Sequence, residues 1–219
     1  MLKVIKMRKL KKIKRISVLK KDRKYISLNN FYREKNKIFL LLVSILGIFI
    51  GVMCYKTIDN TNLTHIISEL FSNLNSGNFK LIFLYFFKLD LICFLISFFI
   101  GTSFIGSVLS FIPPTIKCIY IGCLSSNIYN EFELKGVLFC LLLLYPCFAI
   151  TTASLIFASN ENIYMSKYIY NCLNGKNTDD NISLRLYLFR YILLFTITII
   201  GIAITSFLIL FIAPKINII

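Results

Sequence analysis

The stretch FIPPTIKCIY, residues 111–120, breaks a nearly continuous apolar run over 91–128 with two adjacent prolines and a lysine. Its reading decides whether the flanking segments are two membrane helices or one interrupted element. Proline fixes φ and has no N–H to donate, so it can end one helix and occupy the first turn of the next without losing an internal hydrogen bond. Pro113 and Pro114 therefore predict a tight helical hairpin. Lys117, one turn into the second arm, is expected to extend its ammonium back to the interface. The sharper alternative is a helix broken at membrane depth, whose freed backbone groups line a binding site.

Outward from that turn, the chain is too apolar to cover itself in water. Of its 219 residues 57% are hydrophobic, with 21 Phe and no Trp, and the mean hydropathy is +0.75. Five segments read as spans: 38–54, 91–112, 115–129, 136–158 and 191–213. Segments of 22 or 23 residues reach about 33 Å as helices, enough to cross a bilayer with some tilt. The third is short for a crossing. The expected fold is an all-α membrane bundle of about five transmembrane helices. A long basic region precedes the first span and no small-residue cleavage site follows it, so that span is read as an uncleaved helix rather than a signal peptide.

Charge gives the expected orientation. The formal net charge is +15, and residues 1–37 carry fifteen Lys or Arg against Asp22 and Glu34 alone. With the amino end cytoplasmic, twenty basic residues fall on the inner side and five (Lys56, Lys80, Lys88, Lys135, Lys215) on the outer. That bias predicts a cytoplasmic amino end and an extracytoplasmic carboxyl end in a multi-pass protein of the cell membrane. The basic segment 1–37 is expected to lie against an anionic inner leaflet, at about 1 kcal/mol per nearby basic residue. Lysine blocks also neutralise nucleic-acid phosphates. No aromatic stacking platform surrounds these, so nucleic acid is not expected as a partner.

Two connecting segments carry a pattern. In the outer loop 55–90, Leu63, Ile66, Ile67, Leu70, Phe71 and Leu74 form the stripe of an amphipathic helix, expected on the outer leaflet or against a partner. His65, the one histidine, lies on its polar side with no second ligand at metal spacing. The inner loop 159–189 begins with the amphipathic piece ENIYMSKYIYNCL and continues through NGKNTDDN. Asp179 and Asp180 there would point some 100° apart in a helix, which suits a solvated loop better than an acid pair. The seven cysteines form no C-x-x-C pair and are read as free thiols acting as small apolar side chains.

No H-E-x-x-H, G-x-S-x-G, Walker or Rossmann pattern occurs. Apart from Lys117, the five expected spans contain no ionisable side chain for a proton relay or ion site. The expectation is a non-enzymatic protein without cofactor or metal, whose work is contact. Small residues recur at four-residue spacing: Gly47 with Gly51, Ser103 with Ser107, Gly106 with Ser110, Gly122 with Ser126, and Ala149 with Ala153. Such pairs let helix backbones approach closely in lipid. Pro146 removes the hydrogen bond to the Leu142 carbonyl and predicts a kink.

Gly101 and Gly106 in GTSFIG, the YIG at 120–122, and NEFELKGVLFCLLLLYP followed by AITTAS carry a family likeness. Within it, Leu134, Lys135 and Gly136 form a turn-ending step and Pro146 a helix break. Over about residues 87–214 the chain resembles stage II sporulation protein M of endospore-forming bacteria, a five-span membrane family. The resemblance implies a scaffold in forespore engulfment that anchors or localises two peptidoglycan-degrading partners, stage II sporulation proteins D and P, on the outer side. A second class of function is a permease subunit of an ABC-type exporter. The breaks at Pro113, Pro114 and Pro146 and the inner loop, as a contact for a separate ATPase, motivate that alternative.

Overall fold

The computed structural model describes residues 34–55, 72, 77–175 and 184–212. They are helical throughout, apart from short turns. Residues 1–33 of the basic tail, the outer amphipathic stripe with His65, and the Asp179–Asp180 pair all lie outside the described residues. The chain separates into two units, Met1–Phe39 and Leu40–Ile219. In the first, residues 34–39 open a helix in which Lys37 Nζ meets Glu34 Oε1 at 2.8 Å, an exposed i, i+3 pair.

Among the described residues, four helical stretches are long and apolar enough to cross a membrane, as a multi-pass membrane protein requires: Glu34–Cys54, Phe79–Thr102, Gly106–Leu173 and Leu184–Phe211. The elements within them are α1 (Glu34–Cys54), α2 (Phe79–Thr102), a one-turn α3 (Gly106–Leu109), α4 (Ile112–Phe139), α5 (Tyr145–Leu173) and α6 (Leu184–Ile212). A π-helical turn, Cys140–Leu144, joins α4 to α5.

The third stretch is not one rod. At Glu133 the backbone takes φ 47° and ψ −125°, a conformation no helix contains. Beyond it the chain folds back, and a Cβ on Gly136 would stand 2.5 Å from the carbonyl oxygen of Ile128. Eight residues along a straight helix would instead be about 12 Å apart. Residues 112–132 and 134–173 are therefore the two arms of a hairpin. Ile121, Leu124 and Ile128 of the first arm share one apolar core with Phe139, Cys140, Leu143, Leu144 and Phe148 of the second.

Side-chain register gives the direction of each helix. Phe98, Phe94 and Phe87 of α2 meet Tyr187, Tyr191 and Phe195 of α6 in that order, so these two run antiparallel. Tyr85 bonds Tyr120 hydroxyl to hydroxyl at 3.0 Å, and Asp90 meets Lys117, so α2 and the first arm of α4 are antiparallel as well. Phe86 with Phe148 and Ser97 with Asn162 make α2 and α5 parallel. Gly47 faces Thr115 and Cys118 while Gly51 faces Ile119 and Cys123, which makes α1 parallel to the first arm.

Several expected boundaries are corrected. The helix over the expected second span, 91–112, is α2, which starts at Phe79, so Lys80, Lys88 and Asp90 are helical residues rather than loop residues. The apolar run FKLIFLYFF continues the helix across both charges, and Asn78 caps its start by accepting from the Lys80 N–H at 3.1 Å. Over the expected third span, 115–129, the helix covers 112–132. The fourth, expected over 136–158, runs on to Leu173, because Asn162, Ile163, Met165 and Ser166 pack inward. The piece ENIYMSKYIYNCL is thus part of α5 and not a loop. The first and last helices begin four and seven residues before the expected 38–54 and 191–213.

The tight hairpin expected at Pro113 and Pro114 is also corrected. Both prolines stand in the first turn of α4 and are buried. Between α2 and α4, however, lie nine residues, 103–111, containing α3. Their turns are closed by side chains: Ser103 Oγ donates to the Ile100 carbonyl at 2.8 Å, and Ser110 Oγ donates to the Gly106 carbonyl. Phe104, Ile105, Val108 and Leu109 of this segment are exposed. Pro146 is accommodated by the π turn directly before it. The Tyr145 N–H reaches back five residues to the Cys140 carbonyl, widening the ladder where the proline ring would meet the Leu142 carbonyl.

Candidate functional site: a buried ion pair between three helices

Asp90 is the twelfth of the 24 residues of α2, and its side chain turns away from lipid into the bundle. Lys117 enters from α4, five residues and roughly 8 Å past that helix's first residue. The Lys117 ammonium pairs with Asp90 Oδ1 and donates to Thr151 Oγ1 of α5 at 2.6 Å. Lys117 is 0% exposed, Asp90 3% and Thr151 0%. Thr151 can approach because α6 passes this level with Gly201, where an added Cβ would stand 3.0 Å from Ile150 Cγ2 and 3.7 Å from Thr151 Cγ2. Cys93 of α2, Cys118 of α4 and Cys147 of α5 are buried.

Two expectations fall here. Lys117 does not extend to the interface, and the spans do carry ionisable groups in their interior. Withdrawing an ammonium and a carboxylate from water costs several kcal/mol per ion. Their mutual attraction offsets this only in good geometry with the remaining donors satisfied. Direct contact with Asp90 and a short bond to Thr151 supply that geometry, and the pair as a whole is neutral. The contact forms in one register of α2, α4 and α5.

A second polar layer lies eleven residues further along α5, roughly 16 Å away. Asn162 Nδ2 donates to both the carbonyl and the hydroxyl of Ser97 at 2.8 Å, and its Oδ1 accepts from the Tyr187 hydroxyl at 2.8 Å. Gly101 makes room: a Cβ there would stand 2.5 Å from both Asn162 Oδ1 and the Tyr187 oxygen. Tyr191 donates to the Phe94 carbonyl at 2.6 Å. The segment 103–111 is tied to α5 through Ser166, which accepts from the Ser107 N–H at 2.9 Å and donates to the Phe104 carbonyl at 3.2 Å. At the rim Arg190 meets Glu161 at 2.9 Å.

The residues singled out for packing take several positions. Gly51 and Gly122 face each other across α1 and α4, and a Cβ on either would run into the other helix's backbone, at the Ile119 and Ile48 carbonyls. Cys123 adds a bond from its Sγ to the Gly51 carbonyl at 3.1 Å. Gly47 abuts Thr115 and Cys118 of α4, Gly106 abuts the Ile100 carbonyl within its own turn, and Gly136 closes the hairpin on Ile128. Ala149 and Ala153 are exposed and join no helix pair inside the chain. Sequence reasoning missed Asp90, Thr151, Ser97, Asn162 and Tyr187. An aspartate in the middle of the turn-free run FKLIFLYFFKLDLICFLISFFIGT was the available signal.

Among the hollows lined by described residues are two. One of about 220 Å³ lies between α1, α4 and the π turn and is lined by Val52, Ser125, Ser126, Tyr129, Cys140 and Tyr145 among others. The other, an apolar groove of about 310 Å³, lies between α2 and α6. Neither is lined by Asp90 or Lys117. Among the described residues no three His, Cys, Asp or Glu side chains cluster as a metal site. No family model, curated protein or solved structure matches this chain.

Proposed function

We propose that the chain is a non-enzymatic membrane scaffold that crosses the bilayer five times, with its amino end cytoplasmic and its carboxyl end extracytoplasmic. The observation that carries this reading is the closed ion pair. Asp90 and Lys117 are engaged with each other, Lys117 also with Thr151, and all three are buried and line neither of the two hollows described, in an arrangement that fixes helix register. Close backbone contacts at Gly51 and Gly122 support the same reading, since they suit a bundle held rigid to present its surfaces. The likeness to stage II sporulation protein M suggests the setting: a complex that localises peptidoglycan-degrading partners, the stage II sporulation proteins D and P, during engulfment. Deleting the gene is expected to leave vegetative growth normal and to stall spore formation at engulfment, with wall hydrolases recovered alongside the tagged protein. Normal spores from the deleted strain would end the sporulation role.

A second reading, the permease subunit of an ABC-type exporter, draws on the non-helical break at 103–105 and the π turn before Pro146. Both are places where a membrane helix can change shape. Co-purification of an ATPase with a Walker motif, together with loss of export in the deleted strain, would favour it over the scaffold.

A further inference from the structure

Lys88 is the tenth residue of α2, two positions before the buried Asp90, and its side chain is exposed. Among the described residues it makes no hydrogen bond or ion pair. Leu81, Leu84, Ile92, Leu95 and Phe99 stand above and below it on the same outward stripe, each exposed. Beside that stripe runs the apolar groove of about 310 Å³ between α2 and α6, lined by Leu91, Phe94, Leu95, Phe98, Tyr191 and Phe195 among others. An ammonium near mid-depth, facing hydrocarbon, is costly and calls for a counter-charge. Its own helix brings the nearest acid, Asp90, but points it inward to Lys117.

We propose that this face of α2 and α6 docks a transmembrane helix of a different protein that carries an Asp or Glu at mid-depth. That helix would lie along the groove with its carboxylate on Lys88. Charge complementarity selects the occupant. A second copy of this chain offers no free acid at mid-depth from its described membrane helices, because Asp90 is already paired and Glu131 and Glu133 stand at the turn between the two arms of the hairpin. A lipid acyl chain could fill the groove yet leave the ammonium uncompensated. The inference rests on the chain standing in a bilayer and not on any role in sporulation.

The test uses the full chain in phosphatidylcholine vesicles with a donor dye on the exposed Cys172. Acceptor-labelled Leu/Ala transmembrane peptides of about 22 residues carry a central Asp or a central Leu. The Asp peptide is expected to associate at least about tenfold more tightly. Lys88→Leu should bring the two peptides to the same level, while Lys88→Arg should retain the difference. Equal association of both peptides with the unaltered chain, or a preference for Asp that survives Lys88→Leu, overturns the proposal. So does modification of Lys88 by a water-soluble amine reagent as readily as of Lys135, which would place the ammonium among the headgroups.

Discussion

Asp90 and Lys117 invite the sharpest measurement on single residues, because each is tolerable only in the presence of the other. Lys117→Met leaves a buried carboxylate without its counter-charge, and Asp90→Leu leaves a buried ammonium bonded to a hydroxyl alone. Each single change is expected to lower stability by about 3–5 kcal/mol. The double replacement Asp90→Leu/Lys117→Met removes both desolvation costs and fills the space with apolar side chains, so it should regain most of the loss. Unfolding of the purified chain in mixed micelles, followed by helical circular dichroism, would read the three variants. Additive losses in the double variant would show that the two groups do not act on each other. Part of this site was legible: Lys117 stood out from FIPPTIKCIY at once. Asp90 did not, because Lys88 and Asp90 together lowered the local hydropathy and made the helix look as if it began after them. Hydropathy weighs each charge as if it met lipid alone, whereas a pair folded inward is neutral where it sits.

Among the elements, existence was far more legible than extent. Every expected span corresponds to a stretch of helix in the structure, yet α2 gained a dozen residues at its start and α5 fifteen at its end. Those added lengths are held by tertiary bonds that no single segment announces, such as Asn162 to Ser97 and Ser166 to the turn at 104–107. The reversal between α4's two arms is a different case. Turn chemistry was visible in NEFELKG, but the residue that adopts φ 47° is Glu133, where a glycine would be at ease. The backbone there carries strain of about 1–3 kcal/mol. Glu133→Gly is therefore expected to stabilise the hairpin by about 1 kcal/mol, after allowing for the extra freedom glycine gains when unfolded. Glu133→Val should destabilise it, since β-branched side chains tolerate positive φ least. The midpoint of denaturant-induced unfolding decides the matter, and an unchanged or lower midpoint for the glycine variant would deny the strain.

For the molecule as a whole, alternating helix direction and the distribution of charge make one joint prediction. If α1 and the first arm of α4 run outward, the contacts above make α2 and α5 run inward and α6 outward. With Lys117 and Lys88 left out of the count, that topology keeps nineteen basic residues on the inner side against Lys56, Lys80, Lys135 and Lys215 on the outer, so the bias persists. The critical question is whether the hairpin at Glu133 separates two full crossings. The arm 134–173 spans about 60 Å, more than enough to carry the chain from one face to the other. Lys135 and Cys172, near its two ends, should then lie on opposite sides of the membrane. In a cysteine-free background, Lys135→Cys is expected to react with a membrane-impermeant maleimide on intact cells. A chain retaining only Cys172, which is exposed at the end of α5, should react only after permeabilisation. Labelling of neither on intact cells and of both after permeabilisation would mean that the hairpin stands wholly on the inner side of the bilayer. Four helical stretches would then give three crossings, and the ion pair between α4, α5 and α2 could not lie at membrane depth.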